Sequence, residues 1–326
     1  MFLNRKLKDL PWVEKYRPKT LSDVKGHSWI VDALKNFAGQ RKIPHMIFTG
    51  PAGTGKTSSA VALTHDLLGD DFTPDQILEL NASDNVRMNT VTTEIKNFTN
   101  SISFRGKDAF KIIILDEADN IPKTPQQALR RIIEKSPSNV KFILMCNYEN
   151  RLIDPILSRC ALFRFTPLSK ENVIRRLKEI AAIEDLDLEE EFYDILYKLS
   201  QGDMRKAVNF LQMAADMNIQ TPEDYPTMYT VTGHLTPAQL KDITKSISSN
   251  NFVKATDTLK INHGYSGRNI LLQLKRWLDG LDVSTDISAQ IYEALAEIDY
   301  RITVGSDMNL QIEAILGFIN ERLAAA

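Results

Sequence analysis

The 326-residue sequence predicts an α/β domain built on a parallel sheet, followed by smaller domains made only of helices. Three observations predict it. Short apolar runs alternate with helical periodicity as far as Phe165, and the first run leads directly into a glycine-rich loop, Gly50-Pro51-Ala52-Gly53-Thr54-Gly55-Lys56-Thr57. Beyond Phe165 strand signals fade and apolar residues recur at helical spacing. Strands alternating with helices bring parallel sheets; helical periodicity alone brings bundles.

Taken in order, the strand signals are Met46-Ile47-Phe48, Ile77-Leu78-Glu79-Leu80, Ile112-Ile113-Ile114-Leu115, Phe142-Ile143-Leu144-Met145 and Leu162-Phe163-Arg164-Phe165. The third and fourth are continuous hydrophobes, the composition of central strands covered on both faces. Lys56 to Leu68 reads as a helix through Ala60, Val61, Leu63, Thr64 and Leu67. Thr166-Pro167-Leu168-Ser169 is a break, and Ser169 or Lys170 opens a helix carrying Val173, Ile174, Leu177 and Ile180. Gly202-Asp203 opens another, through Ala207, Val208, Phe210 and Leu211. After the looser Thr221–Pro226 stretch, helical patterns run near Ala238–Ile247, Phe252–Leu259, Ile270–Leu278, Ser288–Asp299 and Asn309–Leu323. The domain boundaries expected from these shifts are 1–165, 166–230 and 231–326.

Composition narrows the classes of function. Forty basic and forty-two acidic side chains leave a formal charge of −2, which excludes a histone-like binder while allowing a local basic stripe. No apolar run approaches the roughly 20 residues that span a bilayer, and the first residues lack a secretory core, so an intracellular protein with no membrane partner is expected. Cys146 and Cys160 cannot make a disulfide framework, and the five histidines form no ligand-spaced pair. The acidic run from Glu184 to Glu191 reads as a solvated segment.

Residues 50–57 match G-x-x-x-x-G-K-[ST] in full. Such a loop lets backbone N–H groups close round phosphate oxygens at the positive end of the following helix. Lys56 would reach the β- and γ-phosphates of ATP, and the Thr57 hydroxyl would ligate Mg2+. About 60 residues on, an apolar strand ends in Asp116-Glu117, at the sheet edge where ligands of such folds bind. Asp116 is the expected Mg2+ partner and Glu117 the group that polarises the attacking water. Asn147 ends the next strand at the same edge, where its amide can orient water or meet the γ-phosphate. The motif also suits other readings: Asp116-Glu117-Ala118-Asp119 spells the signature of a DEAD-box helicase, but no second set of strands follows to supply that enzyme's second domain.

Leu10-Pro11-Trp12-Val13-Glu14-Lys15-Tyr16-Arg17-Pro18, Leu80-Asn81-Ala82-Ser83-Asp84, Leu115-Asp116-Glu117-Ala118-Asp119, Ala128-Leu129-Arg130-Arg131, Cys146-Asn147-Tyr148, Ser158-Arg159-Cys160 and Gly202-Asp203-Met204-Arg205 occur in that order. Together they resemble the replication factor C small subunits, with most motifs before residue 215. The resemblance implies a P-loop AAA+ parallel-sheet domain, a small helical lid domain and a helical collar domain that joins five subunits. It implies an ATPase that opens a sliding clamp and loads it onto primer–template DNA during replication, with hydrolysis releasing the loader. The partners so implied are a large clamp-loader subunit, other small subunits, the clamp and DNA, in an archaeal cytoplasm or a eukaryotic nucleus. Residue by residue, Val13, Tyr16 and Arg17 match the segment near the adenine and phosphates, Asn147 matches sensor 1, and Arg205 matches sensor 2. Arg159 matches the arginine finger that acts on ATP held by the adjacent subunit. Arg130 and Arg131 fall on a helix that in this family lines the subunit interface.

The sequence departs from that pattern at Ala52, where a second proline is usual, and at Lys25, where an apolar residue usually sits near the adenine pocket. Asn85-Val86-Arg87 and Thr92 stand where arginines that face the DNA backbone are expected, leaving Arg87, Lys96 and Arg105 to compensate. Two rival functions remain: another AAA+ DNA motor of the branch-migration type, and a structural ring subunit that binds ATP without hydrolysing it.

Overall fold

The computed structural model describes residues 10–69, 72–83, 88–104, 106, 109–219, 221–260 and 264–324, with the backbone alone at 88–91 and 260. Two compact units divide between Met213 and Ala214. The expected sites at Asn85, Val86, Arg87 and Arg105 lie outside the described residues.

In the first unit α1 (Trp12–Lys15) and α2 (Ser28–Gln40) lead into β1 (Met46–Thr49) and α3 (Lys56–Leu68). Next come β2 (Ile77–Asn81), α4 (Met88–Asn100), β3 (Lys111–Asp116), α5 (Lys123–Lys135), β4 (Val140–Cys146), α6 (Asp154–Leu157) and β5 (Ala161–Arg164). The five strands form one sheet in the order β2-β3-β4-β1-β5. Every pairing is parallel, as in Ile47 with Leu144 and Ile114 with Ile143.

The continuous hydrophobes have the reason expected of them. Met46, Phe48, Ile112, Ile114, Ile143 and Met145 enter one core with Ile30, Leu34, Leu63 and Leu67 from α2 and α3. Their alternate neighbours Ile47, Ile113, Leu115, Phe142 and Leu144 enter a second core with Ile95, Leu129 and Ile133 from α4 and α5. Successive side chains of a strand point to opposite faces, so two covered faces require an unbroken apolar run. Phe48, Phe163 and Phe165 pack ring to ring at 5.3 and 5.6 Å on the first face. Full burial of one such ring stabilises by about 1.5–3 kcal/mol. The last strand closes one residue short of the expected Phe165, although the Phe165 amide still donates to Thr49 O at 2.7 Å.

Three helices follow: α7 (Lys170–Ile183) and α8 (Glu190–Ser200) in the same unit, and α9 (Met204–Asp216), all but whose last three residues belong to it. Ser169 caps α7 by accepting from the Asn172 amide, as the sequence suggested. Asp203 caps α9 in the same way, accepting from the Lys206 amide at 3.0 Å. The acidic run departs from its solvated reading at one end. Glu184 accepts from Lys15 Nζ at 2.5 Å and from the Tyr16 hydroxyl, tying the end of α1 to the C-cap of α7.

The second unit holds α10 (Tyr225–Val231), α11 (Pro237–Ser248), α12 (Phe252–Lys260), α13 (Gly267–Leu278), α14 (Thr285–Thr303) and α15 (Met308–Ala324). Its core draws Ile243 and Ile247, Ile270 and Leu274, Ile291 and Leu295, and Ile315 and Ile319 from four of these helices at helical spacing. The stretch read as loose, Thr221–Pro226, contains the start of α10, a seven-residue helix too short to print a period. Among the described residues, no helix is long and apolar enough to cross a membrane.

Candidate functional site

The loop after β1 and the start of α3 form one wall of a cleft of about 1180 Å³, its open mouth included. The loop is shaped by contacts that exclude side chains. At Gly50, φ 144°, a Cβ would lie 2.0 Å from Phe165 O; at Gly53, φ 70°, it would lie 1.7 Å from Asp203 Oδ1. Gly53 O also accepts from the Met204 amide at 2.9 Å, so the loop and the first turn of α9 touch backbone to backbone. His27 holds the loop from the other side, with Nε2 3.2 Å from Thr54 O. Burial pushes its imidazole below the ordinary histidine value, partly countered by that carbonyl.

Lys56 is 8% exposed, and its ammonium meets Gly50 O at 2.6 Å, Pro51 O at 2.9 Å and Asn147 Oδ1 at 3.1 Å. An ammonium has three N–H bonds, so all its donors are used. Burial lowers its pKa, and the Asp116 carboxylate opposes that shift. Thr57 Oγ1 donates to Asp116 Oδ2 at 3.2 Å, while Asp116 Oδ1 accepts from the Glu117 amide at 2.8 Å. Glu117 occupies the left-handed region at φ 52°, and Asn120 Nδ2 donates to its Oε2 at 3.1 Å. A non-glycine residue in that region costs about 1–3 kcal/mol, which the neighbouring Asp116 and Asn120 bonds offset.

The cleft thus gathers most of the residues singled out in the sequence. Val13, Tyr16, Arg17 and Lys25 line it from the N-terminal segment, Ala52 to Thr57 from the loop, and Asp116, Glu117, Asn147 and Arg205 from farther along the chain. Gly50 and Pro51 are not among the lining residues, and their carbonyls accept from Lys56 Nζ. Lys25 carries an ion pair with Glu179 at 2.8 Å, which lets a cation replace the apolar residue anticipated there. Arg17 pairs with Glu14 at 2.8 Å. Arg159 does not line this cleft; it pairs instead with Glu134 at 2.6 Å.

Two contributors were missed. Arg176 lines the cleft from α7, donating to Tyr16 O at 2.6 Å and to Glu179 at 2.9 Å. No motif marks it, because its role depends on a contact 160 positions away. Asp119, 8% exposed, accepts from the amides of Asn147 and Tyr148 at 3.3 and 3.2 Å, fixing the turn that carries the Asn147 side chain. Its place in Asp116-Glu117-Ala118-Asp119 was the available signal.

The donor set suits Mg2+ bound together with a nucleotide. One hydroxyl and one carboxylate meet at Thr57 and Asp116, and a cation that keeps several waters and binds substrate phosphates needs no more from the protein. Among the described residues no group of three or more metal-ligating His, Cys, Asp or Glu side chains occurs.

Residues 46–168 match the model of the ATPase family associated with various cellular activities (AAA), and residues 235–317 match the replication factor C C-terminal domain. The chain is 41% identical over 316 residues to a replication factor C small subunit of Aeropyrum pernix, covering 95% of this chain and 96% of that one. Identity is 43% over 308 residues to the replication factor C small subunit of Haloarcula marismortui, covering 94% and 93%. The chain belongs to the replication factor C small subunit family. Membership brings an ATPase domain of the AAA type with the replication factor C helical domain behind it. The fold also resembles the Thermotoga maritima RuvB Holliday junction branch migration motor, at TM-score 0.56, 16% identity, and 80% and 91% of the two chains. That likeness is one of fold alone.

Proposed function

We propose that the chain is the small subunit of a clamp loader, which binds and hydrolyses ATP to open a sliding clamp and load it onto primer–template DNA. The observation that carries this reading is the convergence of Lys56, Thr57, Asp116, Glu117, Asn147 and Arg205 on one cleft in a chain of the replication factor C small subunit family. ATP is the substrate, and hydrolysis to ADP and phosphate releases the loader. Residues 1–165 form the ATPase domain in this reading, 166–230 the lid and 231–326 the collar through which a pentameric ring with a large subunit and other small subunits assembles.

Each side chain has a part that its surroundings support. Lys56 exchanges the Gly50 and Pro51 carbonyls for phosphate oxygens, at little desolvation cost because it is already buried. Thr57 and Asp116 would hold Mg2+, which neutralises charge on the β- and γ-phosphates when bound. Glu117 orients water with the carboxylate oxygen that Asn120 leaves free and accepts its proton. Asn147 and Arg205 contact the γ-phosphate, while Val13, Tyr16, Arg17 and Lys25 enclose the base and sugar. Arg159, outside its own cleft, supplies charge in trans to nucleotide on the neighbouring subunit, so turnover depends on assembly.

Steady-state ATP hydrolysis by the complex with its large subunit tests the reading. Clamp and primer–template DNA together should stimulate turnover beyond DNA alone. Turnover that ignores the clamp and responds to branched DNA would instead assign a branch-migration motor, and nucleotide binding without any turnover a structural ring subunit.

A further inference from the structure

Glu134 lies on α5, one turn beyond Arg130, and its Oε1 receives two guanidinium groups. Arg130 Nε lies 2.8 Å away and Arg159 Nη2 lies 2.6 Å away. Arg159 has a second anchor: Nη1 donates to Pro155 O at 2.7 Å and to Ser158 Oγ at 3.2 Å. A guanidinium carries five N–H bonds; Nη1 spends two on Pro155 O and Ser158 Oγ, and the pairing with Glu134 is an ion pair that leaves the other three to a further acceptor. The two directional bonds from Nη1 set the plane of the group, and the ion pair with Glu134 sets where its far side lies. A long surface side chain restrained in this way has already lost the rotamer entropy that a productive contact would otherwise cost.

The backbone beneath the pair is fixed by a buried glutamine. Gln126, on α5 and 1% exposed, donates to Ile121 O at 2.8 Å and Arg151 O at 3.0 Å, and accepts from the Ile153 amide at 2.8 Å. It therefore joins the turn after Glu117 to the segment that leads into α6 and Arg159. Charge supports an outward role as well. Arg130, Arg131 and Arg159 all act on the Glu134 carboxylate, whose pKa is lowered first by its hydrogen bond to Arg130 and then by the surrounding guanidiniums. One anion among three cations leaves the cluster positive, ready for an anion brought by another subunit.

We propose that Glu134 is a positioning residue for catalysis in trans, holding Arg159 in the orientation that meets the phosphates of ATP on the adjacent subunit. The inference rests on the trans role assigned above to Arg159 and adds the group that aims it. Because α5 begins just past Asp116-Glu117, the aim of Arg159 is tied through Gln126 and Glu134 to the same subunit's own cleft.

The test is steady-state ATP hydrolysis by the assembled complex, with clamp and primer–template DNA, for Arg159→Ala, Glu134→Gln and the double variant. Melting of each isolated subunit checks folding. Glu134→Gln should lower kcat on the order of 10- to 100-fold, the loss typical of a misaimed group, with KM little changed. On the Arg159→Ala background it should cost nothing further, since Glu134 acts only through Arg159. A parental kcat for Glu134→Gln overturns the proposal. A raised kcat also overturns it, because Glu134 would then restrain Arg159 rather than aim it. Further loss on the Arg159→Ala background overturns it by assigning Glu134 another target. Normal turnover in Arg159→Ala alone is a separate result: it removes the trans assignment itself, and this inference with it.

Discussion

Gly53→Ala probes a place where the phosphate loop and the start of α9 meet without room between them. The new Cβ would lie 1.7 Å from Asp203 Oδ1 and 2.2 Å from its Cγ. Asp203 cannot swing aside freely, because Oδ1 caps α9 through the Lys206 amide at 3.0 Å. Losing such a cap costs about 1 kcal/mol, and a side chain at φ 70° adds about 1–2 kcal/mol. Gly53→Ala should therefore destabilise the first unit by about 2–3 kcal/mol. Asp203→Ala should cost about 1 kcal/mol as a lost cap. The double variant pays for the cap once, so it should fall about 1 kcal/mol short of the sum of the singles. Hydrogen exchange of first-unit peptides through a urea series measures all three. Strict additivity would refute the steric argument, and a Gly53→Ala protein as stable as its parent would refute the loop geometry. Nucleotide affinity should fall in Gly53→Ala as well, since a side chain at φ 70° strains the loop whose backbone N–H groups meet phosphate.

Three further outcomes are expected. Glu117→Gln should bind labelled ATP with the parental affinity and lose nearly all turnover; normal hydrolysis would remove Glu117 as the base. His45 titrates at about 4, pushed down from 6.5 first by burial and then by Lys141, and its Nδ1 accepts from the Phe142 amide at 3.2 Å. The unfolded chain binds this proton first, so the stability His45 contributes is complete above pH 6.5 and lost as pH falls through about 4. His45→Gln should flatten that acid limb in melting curves taken between those two values. Asp119→Ala strands the Asn147 and Tyr148 amides and should cost about 1–3 kcal/mol, with a fall in kcat larger than the fall in ATP affinity.

The fold of the first unit was legible because its signals are local. Five strand signals lie on the five strands, and the loop residues Gly50 to Thr57 sit where a strand-to-helix turn puts them. The short helices α1, α6 and α10 were not legible, since four to seven residues carry no amphipathic period. The same contrast divides the candidate site. Lys56, Thr57, Asp116 and Glu117 belong to motifs whose chemistry dictates their spacing, whereas Arg176 and Asp119 act on partners distant in the chain.

The sequence by itself determined the strand-helix alternation, the phosphate loop and, through its motifs, membership of a family. Hydrophobic period and backbone geometry are properties of neighbouring residues, and a chain carries them before it folds. Tertiary structure alone decided which arginine faces which carboxylate. It set Lys25 on Glu179, Arg176 on the Tyr16 carbonyl, and Arg159 on Glu134 outside its own cleft. Charges act through space over a few ångströms, and only the packing of the sheet and helices brings residues so far apart in sequence within that range.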